Sequence, residues 1–236
     1  MTNKNKKTKN WLINIFCLLL LIVGLLLIFN KQIQNFIIKQ RTDEYQLRQV
    51  SREDILANEQ ASGEFDFDKV ESLDLEAVLK ARAANEPLPV IGNISVPSVK
   101  MSLPIFKGVS NTALLFGAGT MKPEQKMGEG NYGLASHRMV DPTLLFSPIL
   151  DIKEGDKIYL TNLDKVYVYE ATFMDYIAAT QVEVIDDVED EVLVTLITCD
   201  TTGTNRYCVQ GKLVDVLEFN SQDNEQNDIF QLKNNK

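Results

Sequence analysis

Apolar residues are distributed along this chain in three patterns. Residues 11–30 are apolar almost throughout and carry no charge. Residues 31–88 are mostly polar, with one stretch of apolar residues at helical spacing. Residues 89–219 contain short runs rich in Val, Ile and Tyr, separated by Gly, Pro, Asn and Asp. These patterns predict a hydrophobic helix, a partly helical linker and a β-rich domain.

The first apolar stretch is just long enough to cross ~30 Å of hydrocarbon as a helix. A secretory signal peptide also begins with lysines, but its apolar core is roughly 7–15 residues long and a small-residue cleavage site follows it. Residues 11–30 exceed that length, have no such site and are apolar on every face, which disfavours a buried core helix. We therefore predict an uncleaved transmembrane anchor that contacts membrane lipid.

The orientation of this anchor follows from the charges around it. Residues 1–10 contain four lysines and no acidic residue. The positive-inside rule places such a segment in the cytoplasm. We expect a cytoplasmic tail over residues 1–10, a single pass over residues 11–30, and residues 31–236 outside the cytoplasmic membrane.

The linker over residues 31–88 is predicted to be an extracytoplasmic stalk with a short helix. The helix is indicated by apolar residues spaced for one helical face, and Pro87 and Pro89 end it. Those apolar residues are Leu75, Val78, Leu79 and Ala83. At the other end, residues 220–236 are predicted to form a polar, frayed tail.

The region over residues 89–219 is predicted to be mainly β. Many short strands with turn residues between them are typical of a β-barrel or a β-sandwich. Pro97 and Pro104 indicate edge strands and turns in the first part of this domain.

Charge and cysteine content narrow the possible functions. The net charge is −9 and residues 1–10 contribute +4, so the remaining residues sum to −13. This balance excludes a nucleic-acid-binding footprint. Of the three cysteines, Cys17 lies in the predicted anchor, and two others are too few for a disulfide framework.

Three residues at predicted strand ends carry candidate chemistry. Cys199 ends an apolar strand and is followed at once by polar residues, so it should lie at a rim where a thiol can act as a nucleophile. His137 is the only histidine and can carry a proton near neutrality. Arg206, seven residues after Cys199, cannot be a base but can donate hydrogen bonds to a developing oxyanion.

Two further features have plainer interpretations. Cys208 shares a strand face with Arg206 and could reach Cys199 across the hairpin, but an ordinary packed thiol is favoured over a disulfide. The acidic run between Glu183 and Glu191 lacks the order of an EF-hand calcium loop, so a solvated loop is favoured. No metal site is predicted.

The segments around these residues resemble the sortases, and most closely their class A members. The resemblance covers Pro89 to Phe219 and includes "TLITC", an arginine seven residues after its cysteine, and "NYGLASH" upstream. It implies an eight-stranded sortase-type β-barrel with short helices. It also implies a membrane-anchored cysteine transpeptidase on the outer face of a Gram-positive cell membrane, which cleaves LPXTG-like sorting signals of surface proteins between Thr and Gly.

The resemblance also implies roles for individual residues. Cys199 would form a thioacyl intermediate, and His137 would protonate the leaving amine and deprotonate the incoming one. That amine would belong to lipid II or a peptidoglycan cross-bridge. Arg206 would hold the substrate and stabilise the oxyanion, and Thr198 and Ser136 would help to bind substrate.

Some class A members use calcium through loop carboxylates. Here Lys122 and Lys126 accompany Glu124 and Glu129 in the loop before His137, and their positive charges oppose a calcium site. We expect a cofactor-independent enzyme.

Two other functions fit the same residues. A hydrolytic cysteine peptidase would use the same three side chains with water as the acceptor. A non-catalytic surface-binding module would contain Cys199 only as a packed side chain.

Overall fold

The chain folds as a helical N-terminal part followed by a β-rich domain that carries short helices. A computed structural model describes residues 3–70, 73–84, 86–200 and 203–232. The α-helices are α1 (Asn3–Ile28), α2 (Asn30–Glu44), α3 (Arg52–Glu59), α4 (Leu75–Ala84), α5 (Asn111–Phe116) and α6 (Asn224–Ile229). The strands are β1 (Val90–Val96), β2 (Met101–Phe106), β3 (Ala118–Thr120), β4 (Asn131–Ala135), β5 (Lys157–Thr161), β6 (Lys165–Ala178), β7 (Leu193–Cys199) and β8 (Asn205–Glu218).

The eight strands close into a barrel in the order β1-β2-β3-β4-β7-β8-β6-β5. The pairs β2–β3 and β4–β7 are parallel, and the other pairs are antiparallel. The predicted eight-stranded barrel is therefore confirmed. The prediction of edge strands near Pro97 and Pro104 is wrong, because closure leaves no free edge. Pro97 begins a 3₁₀ turn, and Pro104 precedes the point where β2 first pairs with β3.

The barrel interior is filled by one side of each strand. On β7, Val194 and Leu196 are fully buried, and on the neighbouring strands Leu134 and Val209 are fully buried as well. Alternate residues therefore point outward on these strands. On β7 the outward residues Thr195 and Ile197 are buried as well, so another segment covers this face.

The first helix has the properties of a membrane span. Its segment Trp11–Ile28 has a mean hydropathy of 3.0 and buries none of its residues in the protein. Hydrogen bonds cross the junction with α2, from Phe29 N to Leu25 O and from Ile33 N to Phe29 O, both at 2.9 Å. The helix thus continues from the apolar span into the segment that follows.

The segment predicted to be a stalk is packed on the barrel. In α2, Ile38 is fully buried and the Thr42 hydroxyl donates to Phe116 O at 2.9 Å. Ile55 in α3 is fully buried, and the predicted short helix is confirmed as α4, which buries Val78. Helices α2, α3 and α4 therefore belong to the same hydrophobic core as the strands.

The C-terminal segment is ordered through residue 232. Asp223 caps α6 by accepting from the backbone N–H of Glu225 at 2.8 Å. Phe230, directly after this helix, is fully buried against Val166 and Val168. The prediction of a frayed tail is wrong for residues 220–232 because it overlooked this aromatic anchor. Residues 233–236 lie outside the described residues.

Candidate active site

Strands β7 and β8 place Cys199 and Arg206 side by side. The antiparallel register pairs Cys199 directly with Arg206, at the last residue of β7 and the second of β8. Side chains of directly opposed residues share one face, with Cβ atoms about 4.5–5.5 Å apart. The separation of seven positions between Cys199 and Arg206 in the sequence thus corresponds to one hairpin connection between β7 and β8.

Strand β4 brings His137 to the same rim. The parallel register pairs Ala135 with Ile197, and Ser136 N continues the ladder by donating to Ile197 O at 3.3 Å. His137 follows at the level of Cys199, where β4 has ended. Its carbonyl accepts from Phe146 N at 3.1 Å, which closes the His137 loop, residues 137–146. The three candidate residues therefore meet at one end of three adjacent strands.

Thr198 and Ser136 connect the strand ends of this rim through hydrogen bonds on the interior side of the barrel. The buried Thr198 hydroxyl donates to Ser136 O at 2.8 Å, and the Ser136 hydroxyl donates to Gly117 O at 2.6 Å. Both side chains face the protein interior, at 2% and 5% exposure. Their observed contacts position the strand ends, and their role in substrate binding stays a prediction.

The imidazole of His137 is held in its neutral form. Loss of hydration lowers the pKa of His137 from 6.5 to about 4, because burial disfavours the charged ring. At neutral pH the ring therefore has a free nitrogen lone pair that can accept a proton. Such a ring can accept a proton, and the partly exposed Cys199 thiol lies at the same rim.

The guanidinium of Arg206 is oriented by the β7–β8 connection. Its Nη1 donates to Gly203 O at 3.0 Å and to Asn205 O at 3.1 Å. Asn205 N donates to the Asp200 carboxylate at 3.2 Å, which closes the turn. Thr201 and Thr202, part of the predicted polar loop, lie outside the described residues. The guanidinium is thus held against carbonyl groups of the turn that follows Cys199.

Cys208 is a packed thiol. It lies opposite Ile197, is fully buried, and burial raises its pKa to about 12. All three cysteines are free, and Cys199 is more exposed than Cys208. A nucleophile must reach both substrate and thiolate form, so Cys199 is the better candidate.

The β6–β7 loop, residues 179–192, covers the outward face of these strands below the rim. Asn131 Nδ2 donates to Val184 O at 3.0 Å, and Gln210 Nε2 donates to the same carbonyl at 3.1 Å. The Thr195 hydroxyl joins them by donating to Asn131 Oδ1 at 2.7 Å. This polar network fixes the loop on the same face of the sheet as Cys199, farther from the rim. Sequence reasoning missed it; the only signal was that Asn131, Thr195 and Gln210 interrupt apolar strands.

The same loop is bound to the β3–β4 loop, residues 121–130. Lys122 Nζ contacts Asp187 Oδ1 at 2.6 Å, and Asn131 N donates to that oxygen at 2.8 Å. The hydrogen bond from Lys122, then that from Asn131, lowers the pKa of Asp187. A lysine ammonium thus holds the carboxylate that joins the two loops.

Comparison with known proteins decides the family. The sortase domain family matches residues 94–214, which include His137, Cys199 and Arg206. The chain belongs to the sortase family. Its relatives include sortase A of Streptococcus agalactiae, 42% identical over 93% of this chain and 93% of that protein. Sortase A of Listeria monocytogenes is 43% identical over 83% of this chain and 89% of its own length.

The similarity extends to the fold. The solved structure of Listeria monocytogenes sortase A is similar to this sortase with a TM-score of 0.57 and 44% sequence identity. The match covers 60% of this chain and 97% of the Listeria chain. Membership of the family makes the chain a cysteine transpeptidase that anchors surface proteins. Within the part of the chain that the structure describes, one helix is long and apolar enough to cross a membrane, and its place near the N-terminus fits a membrane anchor.

Proposed function

We propose that this sortase cleaves LPXTG-like sorting signals between Thr and Gly and transfers the new carboxyl end to an amine of lipid II or a peptidoglycan cross-bridge. The observation that carries the proposal is the meeting of His137, Cys199 and Arg206 at one end of β4, β7 and β8. These residues provide a base, a nucleophile and a cation for an oxyanion.

The first half of the reaction forms a thioacyl enzyme. Neutral His137 takes the proton of Cys199, and the thiolate attacks the threonine carbonyl carbon. Arg206 donates hydrogen bonds to the oxyanion that develops. The carbon–nitrogen bond then breaks, and the imidazolium returns its proton to the leaving glycine amine.

The second half reverses these roles. The acceptor amine attacks the thioester carbonyl, His137 removes the amine proton, and the carbon–sulfur bond breaks. The Cys199 thiolate is the leaving group, and His137 then returns the proton to it. Water in place of the amine would give the hydrolytic peptidase, so the acceptor distinguishes the two functions.

The domain faces away from the cytoplasm in this proposal. The four lysines in residues 1–10 support a cytoplasmic N-terminus, and the helix through Ile28 leads directly into α2. A membrane-impermeant thiol reagent added to intact cells should label Cys199, whereas Cys199→Ala should lose that labelling. Labelling only after cell lysis would show that the domain lies on the cytoplasmic side of the membrane.

We propose that turnover needs no calcium. Lys122 neutralises Asp187 where the two loops meet, and Lys126 lies 3.8 Å from Glu129. A divalent cation at this place would meet two ammonium groups. Millimolar calcium and a chelator should each leave kcat/KM unchanged, whereas Lys122→Met should raise KM by loosening the loop. A clear calcium-dependent rise in turnover of the unmodified chain would contradict this.

The main test uses the full chain in detergent micelles with a quenched LPXTG peptide. Addition of a glycine- or alanine-type amine should yield ligated product, and Cys199→Ala should abolish both cleavage and ligation. Cys208→Ala, the matched removal of the buried thiol, should retain activity. Cleavage that never yields ligated product would favour the peptidase. No turnover with slow alkylation of Cys199 would favour the binding module.

A further inference from the structure

Two large apolar side chains are exposed near the point where the chain leaves the membrane. Phe36, on α2, has 68% of its surface exposed, and Val140, in the His137 loop, has 87% exposed. They flank a contact between the two segments, in which Asn35 Nδ2 donates to Asp141 Oδ2 at 3.4 Å. The loop that follows His137 is therefore held against the first turns of α2.

The position of this contact relative to the bilayer follows from helix geometry. From Ile28 to Phe36 there are eight residues, which rise about 12 Å along a helix. The span Trp11–Ile28 has 18 residues and rises about 27 Å, slightly less than the ~30 Å hydrocarbon core. A short span draws its flanking apolar residues into the interface. Phe36 and Val140 then lie within side-chain reach of the headgroup layer.

The charge at this end of the domain is opposite to that of the whole. Lys31 and Lys39 lie on the exposed surface of α2, and Arg138 lies in the His137 loop. Asp141 is the one acidic residue of the His137 loop, and Lys39 contributes to lowering its pKa, after the hydrogen bonds from Thr143. The acidic residues of α2 lie at its far end, beyond Lys39. Residues 11–236 as a whole carry −13. A basic patch with apolar tips fits an anionic lipid surface.

We propose that Phe36, Val140, Lys31 and Lys39 form a membrane-docking surface that binds the phospholipid headgroups of the same bilayer that holds α1. Continuity of α1 with α2 brings this surface to the headgroups, and the lysines favour anionic lipids. The domain is then fixed on the membrane at two places, the span and the His137 loop. The docking does not depend on the proposed reaction. If that reaction also holds, the rim faces a lipid-linked acceptor.

A single-tryptophan series tests the docking in the full chain reconstituted into vesicles. Trp11→Phe removes the only native tryptophan, and Val140→Trp then places one at the surface. Val214→Trp, at an exposed valine eight residues beyond Arg206 on β8, is the matched control. Bromine-labelled lipids quench only tryptophans that contact the bilayer, and thermal unfolding checks that each variant is folded.

The tryptophan at position 140 should lose most of its emission to brominated lipids, whereas that at position 214 should lose little. Lys31→Gln with Lys39→Gln should weaken this quenching in vesicles of phosphatidylglycerol, as should added salt. Equal, weak quenching at positions 140 and 214 would overturn the proposal. So would a blue shift without quenching that grows with protein density, since this indicates contact with a second copy. If Lys31→Gln with Lys39→Gln leaves the quenching unchanged, the role of these lysines in lipid binding is overturned.

Discussion

The two thiols near the rim differ in their access to solvent. His137 and Cys199 are both half-buried, whereas Cys208, two residues beyond Arg206, is fully buried. Because these side chains lie on one face of the same sheet, small differences in depth decide which thiol can react. The proposed nucleophile is therefore chosen by burial as much as by sequence.

The depressed pKa of His137 predicts a change of stability with pH. The unfolded chain has the ordinary value of 6.5 and the native chain about 4, so the unfolded state takes up the proton first as the pH falls. The contribution is fully present above pH 6.5 and is lost progressively as the pH falls to about 4. As the pH falls over this range, the free energy of unfolding of the unmodified chain should drop more than that of His137→Gln. The difference should reach about 3 kcal/mol.

Denaturant unfolding at a series of pH values measures this difference. The carboxylates titrate in both proteins, so their effects cancel in the comparison. Parallel pH profiles for the two proteins would show that the ring is hydrated in the native state.

The hydroxyl of Thr198 predicts a second effect at the residue scale. Thr198→Val removes the bond to Ser136 O and should cost about 1–3 kcal/mol, because it leaves a buried carbonyl unpaired. Thr195→Val is the matched control, since it removes a bond between the same two strands farther from the rim. Both should lower the melting temperature, but only Thr198→Val should reduce kcat/KM by about tenfold or more through misplaced catalytic groups. Equal kinetic losses would mean that Thr198 has no special positioning role.

At the scale of elements, the helices before the barrel are structural parts of the catalytic domain. α2 inserts Ile38 into the common core and binds Phe116 O, and Phe116 ends the helix that leads to Gly117 and so to Ser136. A chain of contacts thus runs from the membrane-proximal helix to the rim. The position of the anchor and the position of the site are coupled through this packing.

Ile38→Ala should therefore lower the free energy of unfolding by about 2–5 kcal/mol, as expected for truncation of a fully buried isoleucine. Gln40→Ala, on the exposed side of the same helix, should change it by less than about 0.5 kcal/mol. Thermal or denaturant unfolding of the full chain in detergent measures both. A negligible effect of Ile38→Ala would mean that α2 separates from the barrel in solution, as a true stalk would.

At the scale of the whole molecule, short-range pattern predicted a β-rich domain, and the resemblance to sortases supplied the closed eight-stranded barrel. Alternation and turn residues located most of the β-rich domain, and the polar residues after Cys199 and His137 indicated a rim. The docking of α2 was not predictable, because its apolar residues also fit an outward extension of the membrane helix. The burial of Phe230 was not predictable, because a single apolar residue in a polar segment gives no periodic signal. The network of Asn131, Thr195 and Gln210 joins residues up to 79 positions apart, and its partners become apparent only after the chain is folded.

The most direct test of the central claim is to identify the residue that carries the acyl group. The full chain is mixed with an LPXTG peptide without an acceptor amine, quenched in acid, and analysed by intact mass and peptide mapping. We expect one adduct, which carries the peptide up to its threonine. This adduct should be attached to Cys199, and added amine should discharge it. An adduct on Cys208, or none while cleavage proceeds, would contradict it.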